Sequence, residues 1–317
     1  MKIGSFFKLV EIQTKVASVI PYLLGTVFAL YKYDDFKITN AILLFSSMLI
    51  FDMTTTAINN YIDYKKAVKK EGFGYEEHNA IVKDSLNPNM VKGLIISMLV
   101  ISSLLGILLF LNTDIIVLLI GMICFAIGVA YSFGPIPISR TPFGEIFSGF
   151  TMGFFITFLA IYVHVFDENI ITLGLTDGRL NLGINLAVIV SLVIVTIPAI
   201  MGIANIMLAN NICDIDDDFE NRRFTLPQYI GKDNALLVFK WLYYIGFIAI
   251  IIGVVARVLP ITSILALVAI KPVNENIKKF FEVQTKKDTF VLAVKNFVLT
   301  NIIYIGTIIL GVILGLV

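Results

Sequence analysis

Charge is scarce in this chain, and so are histidine and cysteine. Asp, Glu, Lys and Arg make up 15% of the 317 residues, where a soluble domain carries about a quarter. With two histidines and two cysteines in all, no Cys/His metal centre is expected, nor a Ser/His/Asp or Cys/His nucleophilic set. His164 reads as a structural residue near a helix end and His78 as a solvated loop residue. Cys124 and Cys213 lie far apart, Cys124 in the middle of an apolar run, so no structural disulfide is expected and the redox compartment is not legible. The N-terminus lacks the marks of a signal peptide: Met1 to Val16 carries Lys2, Lys8, Glu11 and Lys15, and no small-residue cleavage site follows a short apolar core. The net charge of +1 gives no case for a nucleic-acid partner, and none is expected.

Apolar sequence fills the rest. Hydrophobic residues make up 58% of the chain and the mean hydropathy is +0.90. They are collected into runs near the roughly 20 residues that cross a bilayer. The expectation is an all-α, polytopic membrane protein, one domain over residues 1–317, with about nine spans at 16–31, 39–61, 91–111, 114–131, 144–166, 185–209, 235–255, 258–270 and 290–316. The eighth is short for a span. Gly134-Pro135-Ile136-Pro137 breaks the chain before the fifth, a Gly/Asp/Asn-rich connector precedes the sixth, and 272–288 reads as a loop or interfacial helix. Basic residues set the orientation. Lys32, Lys37, Arg179 and Arg257 fall on one side, Lys240 lies within the seventh span, and the remaining Lys and Arg share the side of the N-terminus. That side is expected to be cytoplasmic, in the cell membrane.

Two short polar stretches interrupt this pattern, both on the cytoplasmic side. Asp52, Thr56, Asn59, Asn60 and Asp63 form a stripe along the second span at about 100° per residue. Such a stripe faces protein or a water-filled cavity rather than lipid. Asn210, Asn211, Asp214, Asp216, Asp217 and Asp218 close an apolar run that holds no charge from Asn185 to Ala209. Asn210, Asp214 and Asp218 share one face if the helix continues, whereas Asp216 points elsewhere. Two carboxylates a turn apart with amide oxygens beside them make the hard-oxygen site that Mg²⁺ takes with waters and phosphate oxygens. Each stretch reads Asn-Asn-x-x-Asp and is followed by cations: Lys65, Lys66, Lys69 and Lys70 after the first, Arg222 and Arg223 after the second. Acid for metal beside cation for phosphate is the composition a diphosphate site needs.

These motifs resemble the UbiA superfamily of intramembrane prenyltransferases, which carries two Asp-rich motifs after the second and sixth of nine helices around a central cavity. The second motif is matched by Asp214 and Asp218. The first is matched by Asn59 and Asp63, with Asn60 and Ala67 where the family has Asp. Glu71, Glu76 and Glu77 are the alternatives for the missing carboxylate. Tyr131 to Pro137 with Gly144-Glu145, and Asp214 through Asn221-Arg222-Arg223 to Gly231, are similar to the branch that prenylates 1,4-dihydroxy-2-naphthoate in menaquinone synthesis. Lys15 stands where the family carries a basic residue near its substrates.

The resemblance implies transfer of a polyprenyl group from a polyprenyl diphosphate to an aromatic acceptor, with loss of CO₂ in the naphthoate branch. Asp63, Asp214 and Asp218 would hold Mg²⁺. Lys15, Asn59, Asn60, Lys65, Lys66, Ser132, Asn210, Asn211, Arg222 and Arg223 would bind diphosphate or acceptor. Tyr131, with Tyr61 and Phe133 as weaker choices, would face the allylic cation. The segment 64–90 is long enough to act as a lid. Lys278, Lys279, Lys286 and Lys287 read as facing anionic headgroups, and Gly149-x-x-x-Gly153 as a close helix contact. Other acceptors (4-hydroxybenzoate, homogentisate, haem or a glycerophosphate lipid), an inactive relative, and an ion-coupled transporter are the competing readings. A transporter would place its polar sites near the midplane, not at helix ends on one side.

Overall fold

The computed structural model describes residues 1–66, 79–132, 134, 137–176 and 178–316. A short helix α1 (Ile3–Leu9) leads through a 3₁₀ turn at Ile12–Lys15 into α2 (Val16–Tyr33). Next come α3 (Ile38–Lys66), α4 (Pro88–Leu111) and α5 (Ile115–Ser132). Helix α6 is built in three pieces, Gly144–Ser148, a π-helical stretch Gly149–Phe155, and Ile156–Val165. After strands β1 (Ile171–Thr176) and β2 (Arg179–Ile184) come α7 (Leu186–Cys213) and α8 (Ile215–Glu220). The chain ends with α9 (Lys232–Val255), a 3₁₀ stretch Ile261–Ala269 that runs into α10 (Ile270–Glu282), and α11 (Phe290–Ile313).

Local chemistry explains most of the boundaries. Pro88 begins α4 behind Asn87, whose side chain accepts from the Asn89 and Met90 N–H groups; Asn185 starts α7 by accepting from Val188 N–H. Asp114 does the same for α5 through Ile116 and Val117, which makes the tight turn after α4. These side chains satisfy N–H groups that a helix start leaves without partners.

Seven helices among the described residues are long and apolar enough to cross a membrane, not nine. The shortfall has two sources. Helix α5 is apolar but short, at 18 residues. The expected eighth span at 258–270 is instead a continuous rod over 261–282, of which the second half, α10, is amphipathic and charged. Its 9 residues of 3₁₀ and 13 of α-helix reach about 37 Å at roughly 2.0 and 1.5 Å per residue. That equals the length of α11, against which it packs, Thr262 donating to Thr307 O at 2.7 Å. The segment read as a loop or interfacial helix is therefore helical to Glu282. The connector before α7 also differs: β1 and β2 form an antiparallel hairpin, Thr176 paired with Arg179 and Ile171 with Ile184, with Gly178 at φ +72°.

Helix α7 packs against α9, α11 and the π-helical part of α6, while α3 packs against α4 and α2 against the end of α6. Gly149 and Gly153 make the α6–α7 approach: a Cβ on Gly153 would sit 2.6 Å from Ile200 Cα, and one on Gly149 2.8 Å from Ile200 O. Large apolar side chains on α4 and α9 point outward, among them Ile96, Ile101, Leu104, Leu237, Ile248 and Ile252. That surface suits lipid rather than water.

Candidate active site

A cavity of about 1020 Å³ opens inside the bundle between α3, α5, α6 and α7. Its deeper walls are apolar: Leu44, Phe51, Leu109, Val117, Phe125 and Ile203. Its polar end gathers Asp52, Thr56, Asn59, Asn60 and Asp63 from α3, Asn210 from the end of α7, Tyr131 from α5, and Arg140 and Arg223 from the loops that follow α5 and α8. The first polar stretch thus lines this chamber, and the second, some 150 residues on, reaches it through Asn210.

On the α3 side the polar stripe reaches deeper than the motif. Lys15 is buried, 4% exposed, and its ammonium has three acceptors: Asp52 Oδ1 at 2.8 Å, Asp52 O at 3.1 Å and Thr56 Oγ1 at 2.7 Å. Ser18 Oγ donates to Asp52 Oδ2 at 2.6 Å. Asn59 and Asp63 lie nearer the mouth and are exposed. Helix α3 continues to Lys66, so both stand within its last two turns rather than beyond its end. The Asn60 amide is engaged with the N-terminal segment, donating to Leu9 O at 3.0 Å and Glu11 Oε1 at 3.3 Å. Asn79 Nδ2 donates to Asn60 O at 2.8 Å. Asn60 thereby ties the end of α1 to Asn79. Lys65 is exposed, its ammonium 5.1 Å from the Tyr61 ring centroid. The side chains of Lys66 and Ser132, together with Phe133, Ala67, Glu71, Glu76, Glu77 and His78, lie outside the described residues, and so does the 67–78 part of the expected lid.

On the α7 side the carboxylates divide into two classes. Asp214 and Asp218 are 8% and 3% exposed, whereas Asp216 and Asp217 face solvent. Asp214 ends α7, Asp218 lies in α8, and the Asp218 N–H donates to Asp214 O at 2.7 Å. A cation sits on each buried carboxylate. Lys286 Nζ is 2.5 Å from Asp214 Oδ2, and Arg223 Nε is 3.4 Å from Asp218 Oδ1. Burial pushes the Asp218 carboxyl above its ordinary range; Asp214 adds to this, while Arg223 and Lys286 pull the other way. Arg222 is exposed, at φ +53°. Behind them Asn211 is fully buried and donates to Glu145 Oε1 at 2.8 Å. Glu145 Oε2 and Asn211 Oδ1 have no hydrogen-bond donor among the described residues. Phe224 N–H donates to Arg140 O at 3.2 Å, which ties the loop after α5 to the loop after α8.

Among the described residues no three Asp, Glu, His or Cys side chains lie together. Asp63, Asp214 and Asp218 are not closed into one cluster. The donor set nevertheless fits a divalent cation of the magnesium type. Two buried carboxylates and unsatisfied oxygens on Asn211 and Glu145 supply hard donors, and such an ion takes one or two carboxylates and completes its shell with water and phosphate oxygens.

Sequence reasoning missed three contributors. Lys286 was expected to face headgroups and instead meets Asp214; the polar run 282–288 around it gives no local signal for this. Arg140 was read only for orientation, although it follows the chain break at Pro137 and lines the cavity. Glu145 stood out only as part of a resemblance, yet it is the buried partner of Asn211. His164 is structural as expected: Lys37 N–H donates to its Nδ1 at 3.0 Å and the ring stacks on Phe36.

An apolar helical bundle with a polar-mouthed internal cavity defines a membrane-embedded protein that handles an amphiphile. The sequence model of the UbiA prenyltransferase family matches residues 18–288, and the chain belongs to this family. It is accordingly an integral membrane prenyltransferase. It is 29% identical over 248 residues to 1,4-dihydroxy-2-naphthoate octaprenyltransferase of Bacillus subtilis (strain 168), covering 77% of this chain and 72% of that one. The fold matches the apo structure of a UbiA homolog from Aeropyrum pernix K1, with a TM-score of 0.68, 16% identity, and 95% and 98% of the two chains covered. It also matches a UbiA homolog from Archaeoglobus fulgidus bound to GPP and Mg²⁺, with a TM-score of 0.56, 14% identity, and 96% and 98% covered.

Proposed function

We propose that the protein transfers a polyprenyl group from a polyprenyl diphosphate to 1,4-dihydroxy-2-naphthoate, with loss of CO₂ at the carbon attacked. The observation that carries this is the chamber itself: the first Asn-Asn-x-x-Asp stretch lines it with Asn59, Asn60 and Asp63, the second reaches it through Asn210, and its walls are polar at one end and apolar beyond. A diphosphate fits the first part and a prenyl chain the second. Support for the acceptor comes from the relative in Bacillus subtilis, named for that substrate, and support for the metal from the homolog described with GPP and Mg²⁺.

In this reading Asp214 and Asp218, with Asp63 across the cavity, hold Mg²⁺, which supplies electrostatic relief of the charge that grows on the departing diphosphate. Asn210 lines the cavity, and Asn211, held by Glu145, offers its amide oxygen to the ion. Arg223, with Arg222, Lys65 and Lys66, binds phosphate oxygens. Tyr131 turns its ring toward the allylic carbon, and the apolar walls keep water from the cation. Asp52, deeper in the chamber and held in place by the buried Lys15, orients the acceptor. The polar mouth faces the cytoplasm, and residues 1–317 act as one domain.

The test incubates purified protein with Mg²⁺, a long prenyl diphosphate and a panel of aromatic acids, with products read by mass spectrometry. Prenylated, decarboxylated naphthoate is expected. Prenylation of 4-hydroxybenzoate alone would move the assignment to another acceptor, and no product from any acceptor would end it. Asp214→Ala is expected to abolish turnover while the protein still folds; near-normal activity would mean that the metal is held elsewhere.

A further inference from the structure

We propose that Lys286 is a placeholder cation: it neutralises Asp214 while no metal is bound and transfers to the diphosphate when the metal enters. This rests on the reading that Asp214 and Asp218 bind a divalent ion. The geometry is asymmetric. The Lys286 side chain is 55% exposed and its partner Asp214 10%, so the lysine is free to leave and the carboxylate is not. A surface ion pair between two mobile side chains would mean little. Here one partner is buried at the end of α7.

The segment that carries Lys286 is built to present it. Thr285 N–H donates to Thr289 Oγ1 at 2.9 Å, Thr285 Oγ1 donates to Asp288 Oδ2 at 3.2 Å, and Thr289 N–H donates to Thr285 O at 3.1 Å. Gln284 Nε2 closes the end of α10 on Phe280 O and Phe281 O. Four residues beyond Lys286, Phe290 lines the cavity, so the turn stands at the cavity mouth. The opposite carboxylate repeats the arrangement, with Arg223 on Asp218. Each buried carboxylate therefore has one cation. A metal held by Asp214 and Asp218 would compete with both cations, and each would then be free for the phosphate oxygens of the substrate.

A placeholder differs from an ordinary ligand in the sign of its effects. The test uses full-length protein in detergent and two readouts that need no turnover: Mn²⁺ binding without diphosphate, by electron paramagnetic resonance, and inorganic pyrophosphate binding at saturating Mg²⁺, by calorimetry. In Lys286→Met the competing cation is gone, and Mn²⁺ should bind about threefold more tightly, the scale of one partly exposed ion pair. Pyrophosphate should bind roughly tenfold more weakly, the scale of one charge-assisted hydrogen bond. Lys286→Arg should restore the pyrophosphate affinity. Unchanged affinities in Lys286→Met, or a parallel loss of both, would overturn the proposal, the second because it marks a lysine that only holds its loop. Asp214→Asn separates the two levels: if the wild type binds no Mn²⁺, or binds it equally well in Asp214→Asn, the metal reading falls and the placeholder with it.

Discussion

Replacing Asp52 by alanine should be among the most damaging single changes on the cavity wall. Lys15 is buried, and all three of its donors are used, two of them on Asp52. Asp52→Ala removes the only carboxylate in contact with that ammonium in the described structure. It leaves a backbone carbonyl and the Thr56 hydroxyl, both neutral, and takes an acceptor from Ser18. Breaking a buried pair by removing one partner costs about 3–5 kcal/mol. The Asp52 side chain is 16% exposed, toward the cavity, so water can solvate part of the stranded charge, which places the expected loss near the lower end, about 3 kcal/mol. The double variant Lys15→Met/Asp52→Leu removes both charges and should recover most of that loss, because replacing a whole buried pair with apolar side chains is often close to neutral. Equilibrium unfolding in mixed micelles, titrated with a denaturing detergent, gives the four corners of the cycle. A loss below about 1 kcal/mol for Asp52→Ala, or a double variant as damaged as the two single losses added, would refute the reasoning.

Gly153→Ala should destabilise the α6–α7 contact by about 1–3 kcal/mol, as overpacking does, because the new Cβ meets the Ile200 backbone at 2.6 Å; Gly306→Ala, with nothing within 4 Å, is the control, and thermal unfolding in detergent compares them. At the N-terminus the Asp84 carboxyl is held below the ordinary range by hydrogen bonds from Ser5 and Lys8. A depressed acid stabilises the fold above its unfolded value and loses that contribution as pH falls through the folded one. The docking of α1 should therefore hold at pH 5 and be released only below about pH 4, the ordinary carboxylate value, seen as faster amide exchange over residues 3–10. Asp84→Asn should show the faster exchange already at neutral pH.

The parts of this protein legible in its sequence are those written in periodicity and in local side-chain chemistry. Runs of apolar residues located the crossing helices because lipid demands them. The polar stripe from Asp52 to Asp63 was readable because one helical face breaks that demand at regular spacing. The same rule explains where reading failed. The rod over 261–282 begins with 9 residues of 3₁₀ helix, whose greater rise lets a short apolar stretch cover more depth, and it ends in a charged amphipathic helix buried along one face by Val273, Ile277 and Phe280. A hydropathy window sees only that its charge is too high. The hairpin at 171–184 did leave a signal, alternation at Ile171, Leu173 and Leu175 and again at Leu180, Leu182 and Ile184 around Asp177-Gly178, but the Gly, Asp and Asn content of the connector outweighed it.

What no local pattern carries is the pairing of charges across elements. Asp214 and Lys286 are 72 residues apart in the chain, and nothing beside either names the other; their contact exists because α10 descends beside α11 and returns the chain to the end of α7. The pairing is nonetheless required by elementary electrostatics. Two buried carboxylates one turn apart are costly to keep charged without compensation; burial pushes the Asp218 carboxyl up and Asp214 adds to this, while Arg223 and Lys286 pull it back. A divalent ion would supply that compensation more strongly and would release the two cations. A diphosphate carries more negative charge than one divalent ion cancels, so the released lysine and arginine would find their next partners on it. The charges that balance the two carboxylates are then the charges the leaving group needs.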